Sequence, residues 1–286
     1  MANIRLVKGR IKSAKNIAQI TKAMELVAAA KMKKAQAHAL SGKLYAQKIY
    51  EMVLILSSKA ASSKHALLKK PSSLTGKRLV VLLSSNKGLC GGLNTNLFRF
   101  FIHEYPKSSE YDCVTIGKKG ASFIARIGAT LKADFSNTTS FVSMVPAVND
   151  LITEEYIAGH YDRIDLVYNN FMSVVKQIPI RKTILPLTID SLATPSMEKP
   201  VEFLIEPSVD EVFESLLPHY LENQIRDAVL QAEASEHSAR MIAMRNATDN
   251  ALSLMDELTL VYNKARQEKI TYEITDLITA TLALQT

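Results

Sequence analysis

Only two cysteines, Cys90 and Cys113, occur in the 286 residues, which excludes a disulfide framework and a four-cysteine zinc site. Long apolar runs are also missing. The longest, such as 79–83 and 53–56, fall far short of the roughly 20 residues that a membrane-crossing helix needs. The N-terminus is charged throughout and shows no secretory pattern. These absences predict a reducing, aqueous compartment, with any membrane link peripheral.

Glycine and proline are absent from two long stretches, residues 10–41 and 219–286. All nine prolines lie between Pro71 and Pro218, and all ten glycines between Gly9 and Gly159. Inside a helix, proline costs about 3 kcal/mol and glycine about 1. A breaker-rich middle flanked by two breaker-poor ends reads as long helix, compact domain, long helix. With 47% hydrophobic residues there is enough apolar material for a core.

Alternating steps of three and four along the first stretch give Ile4, Val7, Ile11, Ala14, Ala18, Thr21, Glu25, Ala28, Met32, Ala35, Ala39, Gly42, Ala46, Ile49, Val53 and Leu56. A seam of period 3.5 held this long predicts a left-handed coiled coil, and its many alanines predict a closely approaching partner helix. A second stripe, Ile17, Ile20, Met24 and Val27, leaves the helix apolar on another side. In the last stretch the seam reads Leu221, Ile225, Ala228 and Ala232. It continues as Met244, Ala247, Ala251, Leu254, Leu258, Val261 and Ala265, then, after a phase shift, as Ile270, Ile274, Leu277, Thr281 and Leu284. Pro218 predicts a break between this helix and a short one that Ser208 would cap.

The charges match. Residues 1–48 carry eleven Lys/Arg against Glu25 alone, a net +10; residues 209–286 carry thirteen Asp/Glu against six Lys/Arg, a net −7. Opposite charge beside matching seams favours an antiparallel pair of the two termini. The expected division is a helix over 1–60, an α/β domain over 61–208 and a helix over 209–286.

Within the middle, strands are expected at 78–83, 112–117, 163–168 and 177–186, with helices at 95–105 and 119–128. Such alternation predicts a partly parallel sheet with helices on its faces. Gly88-Leu-Cys-Gly-Gly92 follows the first strand, where phosphate sites often occur. It lacks both the Gly-x-Gly-x-x-Gly spacing and the Gly-Lys-Ser/Thr ending. A tight turn with close backbone packing, and Cys90 as a buried apolar residue, is the plainer reading. The six histidines, at 38, 65, 103, 160, 219 and 237, include no His-x-x-x-His pair, and Glu154 and Glu155, adjacent in sequence, point apart on a helix or a strand. No catalytic residue, cofactor or metal is expected.

Four blocks in order, Ile20-Thr-Lys-Ala-Met-Glu-Leu-Val-Ala-Ala-Ala-Lys-Met-Lys-Lys-Ala-Gln36, Gly88-Leu-Cys-Gly-Gly-Leu-Asn94, Ser235-Glu-His-Ser-Ala-Arg-Met-Ile-Ala-Met-Arg-Asn-Ala-Thr-Asp-Asn250 and Leu260-Val-Tyr-Asn-Lys-Ala-Arg-Gln267 with Ile270-Thr-Tyr-Glu-Ile-Thr275, resemble the γ subunit of the rotary F-type ATP synthase, of bacterial type, end to end. The resemblance implies a rotor shaft of two antiparallel helices inside a ring of α and β subunits. Its globular middle would lie near ε and the membrane c-ring, with δ elsewhere in the complex. Such a subunit is non-catalytic: proton flow turns it, and it drives the β sites through different nucleotide affinities. It lies on the cytoplasmic face of the plasma membrane and is peripheral to it.

By the same resemblance, Met24 faces an acidic loop of β, with Lys31, Lys33 and Lys34 adding positive charge there. Arg266, Gln267, Thr271 and Glu273 match polar positions that contact β. Phe203 and Glu206, in Phe203-Leu-Ile-Glu-Pro207, match a segment at the foot that meets the c-ring or ε. For Met24 the alternative is seam packing, and for Arg266 and Glu273 solvated surface charge. Ser85-Asn-Lys87 departs from the family's Ser/Thr-Asp-Arg, and Thr279-Ala-Thr281 stands where Gly-Ala or Gly-Gly is common. Cys90 and Cys113 do not match the regulatory pair of photosynthetic relatives. Two other readings are a nucleic-acid-binding coiled coil, motivated by the basic first helix but lacking an aromatic platform, and an enzyme using the glycine turn. The acid-poor N-terminus resembles a transit peptide, yet the unbroken seam from residue 4 makes it part of the mature helix.

Overall fold

A computed structural model describes residues 4–59, 66–68, 76–137, 141–187 and 204–284. In chain order the elements are α1 (Ile4–Lys59), β1 (Arg78–Leu83), α2 (Leu93–Glu104), β2 (Tyr111–Ile116), α3 (Lys118–Ile127), β3 (Thr130–Asp134), α4 (Val145–Ile157), β4 (Arg163–Phe171), β5 (Gln177–Leu185) and α5 (Val209–Leu284). They divide into two compact units, Met1–Ala28 with Arg240–Thr286, and Ala29–Ala239.

The larger unit is built on a sheet of order β3-β2-β1-β4-β5. The first four strands are parallel and β5 runs antiparallel to β4. β1 is apolar at successive positions because both of its faces are covered. Leu79, Val81 and Leu83 join a core with Ile164, Leu166, α4 and the α1 and α5 residues of this unit. Val80 and Leu82 face the other way, onto Leu97, Phe101, Phe123 and Ile124 of α2 and α3. There Phe101 meets Phe123 edge-on at 5.7 Å between centroids, a favoured geometry for aromatic quadrupoles.

Three helices therefore cover one face of the sheet and two the other. The expected α/β class holds, and two elements were not foreseen, β3 and α4. β3 is a mostly exposed edge strand whose Lys132 and Asp134 hide its pattern. α4 buries Val145, Val148, Ile152 and Tyr156 at helical spacing.

In this unit α1 and α5 pair antiparallel. Tyr50 stacks near Tyr220 at 6.1 Å, while His38 and Lys31 act electrostatically on Glu233. In the smaller unit the Thr21 and Thr248 hydroxyls meet at 2.7 Å. A polar pair inside an apolar seam fixes register, because any slip buries both hydroxyls unmatched. All sixteen α1 seam residues are buried or half-buried. Glu25, the one charged member, reaches back to Lys22 at 3.0 Å. Lys22–Glu25, Lys48–Glu51, Arg226–Glu222 and Lys269–Glu273 each close within a single helix. Exposed pairs of this kind contribute about 0–1 kcal/mol each.

The C-terminal helix corrects the sequence reading at three points. Pro218 does not break it, since α5 runs unbroken from Val209 with Pro218 inside. The flanking Leu217 and Leu221 are fully buried, and that packing offsets the lost intrahelical hydrogen bond. The expected cap is present, with Glu211 N–H donating to the Ser208 hydroxyl at 3.2 Å. Second, the middle seam has the opposite order of steps. Leu254 and Val261 are exposed, while Met255 and Tyr262 take the covered positions beside Ala251, Leu258 and Ala265. Third, Ile270, Ile274 and Leu277 are exposed, so the described residues do not bury that stretch.

Candidate functional site

The carboxyl ends of β1 and β4 form the point where strand order reverses, the usual place for a ligand in such sheets. Here α5 occupies it. Ser235 Oγ donates to the Asn169 carbonyl at 2.8 Å and Ser238 Oγ to the Val174 carbonyl at 2.6 Å. The remaining cavity, lined by Ser84, Ser85, Asn169, Ala232 and Glu236 among others, is about 10 Å³. That is about the space of one water. The Ser235-Glu-His-Ser block, read at first only as a family signature, is thus a clamp between α5 and the sheet.

The glycine turn is structural as well. Gly91 has φ 58 and exposed Leu89 has φ 62. Asn94 closes the turn, its Nδ2 donating to Ser85 Oγ at 2.7 Å and to Cys90 Sγ at 3.3 Å. The close packing expected here lies instead at Gly117, where φ is 110 and a Cβ would stand 2.1 Å from the Ser84 carbonyl oxygen. Only glycine fits there. Residues 84–86 in turn accept the first N–H groups of α3. Lys118 N–H donates to Asn86 Oδ1 at 3.0 Å, Lys119 N–H to the Ser85 carbonyl at 3.1 Å, and Gly120 N–H to Ser84 Oγ at 2.7 Å. Asn86 therefore supplies an uncharged acceptor at the start of α3, where an aspartate would supply a charged one. Among the described residues, no group of three or more His, Cys, Asp or Glu could hold a metal.

Surface features are found on the helices. In the smaller unit Ile17, Ile20, Met24 and Val27 are 51, 59, 40 and 57% exposed. The second stripe is uncovered, and Met24 is not a seam residue. Arg266, Gln267, Thr271 and Glu273 are exposed on α5. Thr271 Oγ1 donates to the Gln267 carbonyl at 3.0 Å, and Lys269 lies 3.4 Å from Glu273. Thr248, opposite Thr21, is 18 residues before Arg266. At 1.5 Å per residue this group starts roughly 27 Å along the helix from the level of Thr21, and Met24 lies further still on the opposite side, so the structure does not bring the two together. In the larger unit Lys31, Lys33 and Lys34 are exposed, as is Glu206. Phe203 lies outside the described residues.

One titratable group is held off its ordinary value where α5 meets the domain. Burial pushes the Glu233 carboxyl up; the nearby Glu236 adds to this, while the Phe141 N–H, His38 and Lys31 oppose it. The folded state thus favours the neutral acid. Its contribution to stability is full below the ordinary carboxylate pKa of about 4.3 and is lost as pH rises through the raised value. Glu233→Gln, which stays neutral and keeps an acceptor for Phe141, is expected to gain in melting temperature over the wild type between pH 4.5 and pH 8. A difference that does not change with pH would contradict this.

No helix among the described residues is long and apolar enough to cross a membrane. In the larger unit the sheet's ligand crevice is filled by one helix of an antiparallel pair, so the surface it presents is helical. The model of the ATP synthase family described as "ATP synthase" matches residues 3–284. The ATP synthase gamma chain of Dehalococcoides mccartyi is 40% identical, the match covering 99% of this chain and 100% of that one. The rotor of the Euglena gracilis mitochondrial ATP synthase has a similar fold, with TM-score 0.66 and 21% identity over 93% of this chain and 98% of that chain. The central stalk and c-ring structure of the Tetrahymena thermophila mitochondrial ATP synthase matches with TM-score 0.60 and 26% identity, over 80% of this chain and 99% of that chain. This chain belongs to the family of ATP synthase gamma chains.

Proposed function

We propose that the chain is the central-stalk rotor of an F-type ATP synthase, turned by proton flow through a membrane c-ring. It drives the catalytic sites of surrounding α and β subunits and has no active site of its own. The rotary central-stalk role follows from family membership. The observation that carries the finer reading is the stripe of Ile17, Ile20, Met24 and Val27, exposed on a helix whose own seam is already covered. Exposed apolar surface in a stripe marks a partner interface.

In this reading residues 1–60 and 209–286 are the shaft and residues 61–208 the globular domain. Met24, Lys31, Lys33, Lys34, Arg266, Gln267, Thr271 and Glu273 meet β. Phe203 and Glu206 meet the c-ring or ε. The complex includes δ, and the chain is peripheral to the cytoplasmic face of a bacterial plasma membrane.

The test has two arms. A tagged chain is expected to bring down α, β and ε in a complex whose ATP hydrolysis requires it; failure to do so overturns the reading. Met24→Lys then places a positive charge beside an acidic β loop. At an effective dielectric near 20 that pair gains on the order of 4 kcal/mol at 4 Å before desolvation. The shaft is held too tightly at some rotary positions. ATP-driven proton pumping is expected to fall severalfold more than ATP hydrolysis, and Met24→Leu to leave both unchanged. Equal rates in all three proteins would remove Met24 from the interface.

A further inference from the structure

The side of α5 that faces the sheet changes character along its length. Leu217, Leu221, Ile225, Ala228 and Val229 are fully buried in the core of the larger unit. Further along, Ser235 and Ser238 are just as buried, and each hydroxyl meets a main-chain carbonyl. Ser235 answers a stretch of β4 that has outrun its neighbour. β4 pairs with β1 only as far as Val167, but with β5 as far as Phe171. The Asn169 carbonyl, which accepts from Ser235 Oγ at 2.8 Å, belongs to that overhang.

Ser238 meets the turn between β4 and β5, which is tied to itself. Lys176 N–H donates to the Ser173 carbonyl at 3.2 Å, and Ser173 N–H to the Lys176 carbonyl at 3.0 Å. Gln177 Nε2 donates to the carbonyls of Ser173 at 3.1 Å and Val174 at 2.9 Å, and to Ser238 Oγ at 3.5 Å. Ser238 Oγ donates in turn to the Val174 carbonyl at 2.6 Å. Apolar packing and these hydrogen bonds resist twist differently. Burial of apolar surface is non-directional and changes little with a small turn of a helix about its axis. A serine hydroxyl stands about 4 Å from that axis, so a turn of about 15° moves it by about 1 Å. That takes it out of the range of about 2.5–3.0 Å that O–H···O bonds keep. Two hydroxyls three residues apart, about 4.5 Å along the axis, fix both the angle and the axial position of the helix.

We propose that Ser235 and Ser238 are positioning residues for torque: they pin α5 at one angle against the sheet, so that a twist of the globular domain passes into the helix instead of being absorbed where the two join. From there α5 runs unbroken to Leu284. This rests on the function proposed above.

The test uses the assembled complex, with its α and β ring fixed to a surface and a nanorod bound to the chain through Asn96→Cys, an exposed position on α2. The native Cys90 and Cys113 are buried, so the label is unique within the chain. With rotation stalled, the variance of the rod's angle measures how much twist the chain absorbs. Ser235→Ala with Ser238→Ala is expected to raise that variance at least 1.5-fold. Leu217→Val thins the apolar stripe and keeps both hydroxyls. It is expected to lower the isolated chain's melting temperature by a few degrees and to leave the variance within about a tenth of the wild type. An unchanged variance in the serine variant overturns the pins. So does an equal rise in both variants, since packing then carries the twist. If the double variant does not fold, Ser238→Ala alone is read in the same way, with a rise of at least 1.2-fold expected. If the wild-type chain forms no complex with α and β, the proposed function falls, and the pins with it.

Discussion

Asp165→Ala is expected to lower the stability of the chain by about 2–4 kcal/mol, the cost of leaving a buried hydroxyl unpaired together with the loss of further hydrogen bonds to a buried carboxylate. Asp165 is fully buried in β4. Its carboxylate accepts from Tyr105 OH at 2.8 Å, Arg163 Nε at 2.9 Å and Thr183 Oγ1 at 2.7 Å. Arg163 Nη2 also donates to Thr183 Oγ1. Burial first, then the adjacent carboxylate, hold the Tyr105 phenol protonated far above its ordinary range. The network ties the C-terminal end of α2 to β4 and β5. Without the carboxylate, the buried Tyr105 hydroxyl loses its acceptor, while the part-exposed Arg163 guanidinium keeps Thr183 and turns to water. The melting temperature should fall by on the order of 10 °C. Asp165→Asn keeps the shape and one acceptor and should cost less. A loss under about 1 kcal/mol for Asp165→Ala would mean the buried pair was nearly neutral to begin with.

This network marks where the sequence stops being legible. The strand at 163–168 was readable from its apolar residues, but nothing in Arg163-Ile-Asp165 says that the acid points inward. Its partners, Tyr105 and Thr183, are distant in the chain. The same limit applies to the clamp of Ser235 and Ser238, because a serine in a helix reads as surface until the carbonyl it meets is known. Local signals did better where one rule acted alone. The α1 seam was legible throughout because its alternating steps of three and four hold without a phase shift from Ile4 to Leu56, even where Ile17, Ile20, Met24 and Val27 add a second apolar side. The α5 seam was ambiguous, since Leu254-Met255 and Val261-Tyr262 are adjacent apolar pairs, and either member fits a period of 3.5. Burial chose Met255 and Tyr262. Pro218 misled because a local cost was weighed without the packing around Leu217 and Leu221 that outweighs it. The glycines misled in a similar way. The close approaches are at Gly117 and Gly120, both against Ser84, while at Gly88 and Gly92 of the conspicuous cluster a Cβ would meet open space or only ordinary contact.

The second stripe of α1 was legible in outline, and it carries the other large effect. Ile20→Glu with Val27→Glu is expected to leave the isolated chain's melting temperature within about 3 °C, because each exposed substitution changes stability by roughly 0.5 kcal/mol or less. Glutamate is also at least as good a helix former as isoleucine or valine. Neither residue lies on the seam with α5; Ala18, Thr21, Glu25 and Ala28 do. Assembly should behave differently. If the stripe lies in a sleeve of partner subunits, each position loses about 1.5–3 kcal/mol of apolar burial. Two carboxylates must also be desolvated there. Together these exceed the 2.8 kcal/mol that corresponds to a hundredfold change in affinity, taking about 1.4 kcal/mol per factor of ten. The double variant should therefore fail to bring down α and β, while the pair Ile20→Leu and Val27→Ile retains them. The measurement is pull-down of purified subunits by each tagged chain, beside its thermal melt. Normal assembly of the double glutamate variant would show that the stripe faces solvent in the complex. A melting temperature many degrees lower would show that it serves the fold of this chain instead of a partner.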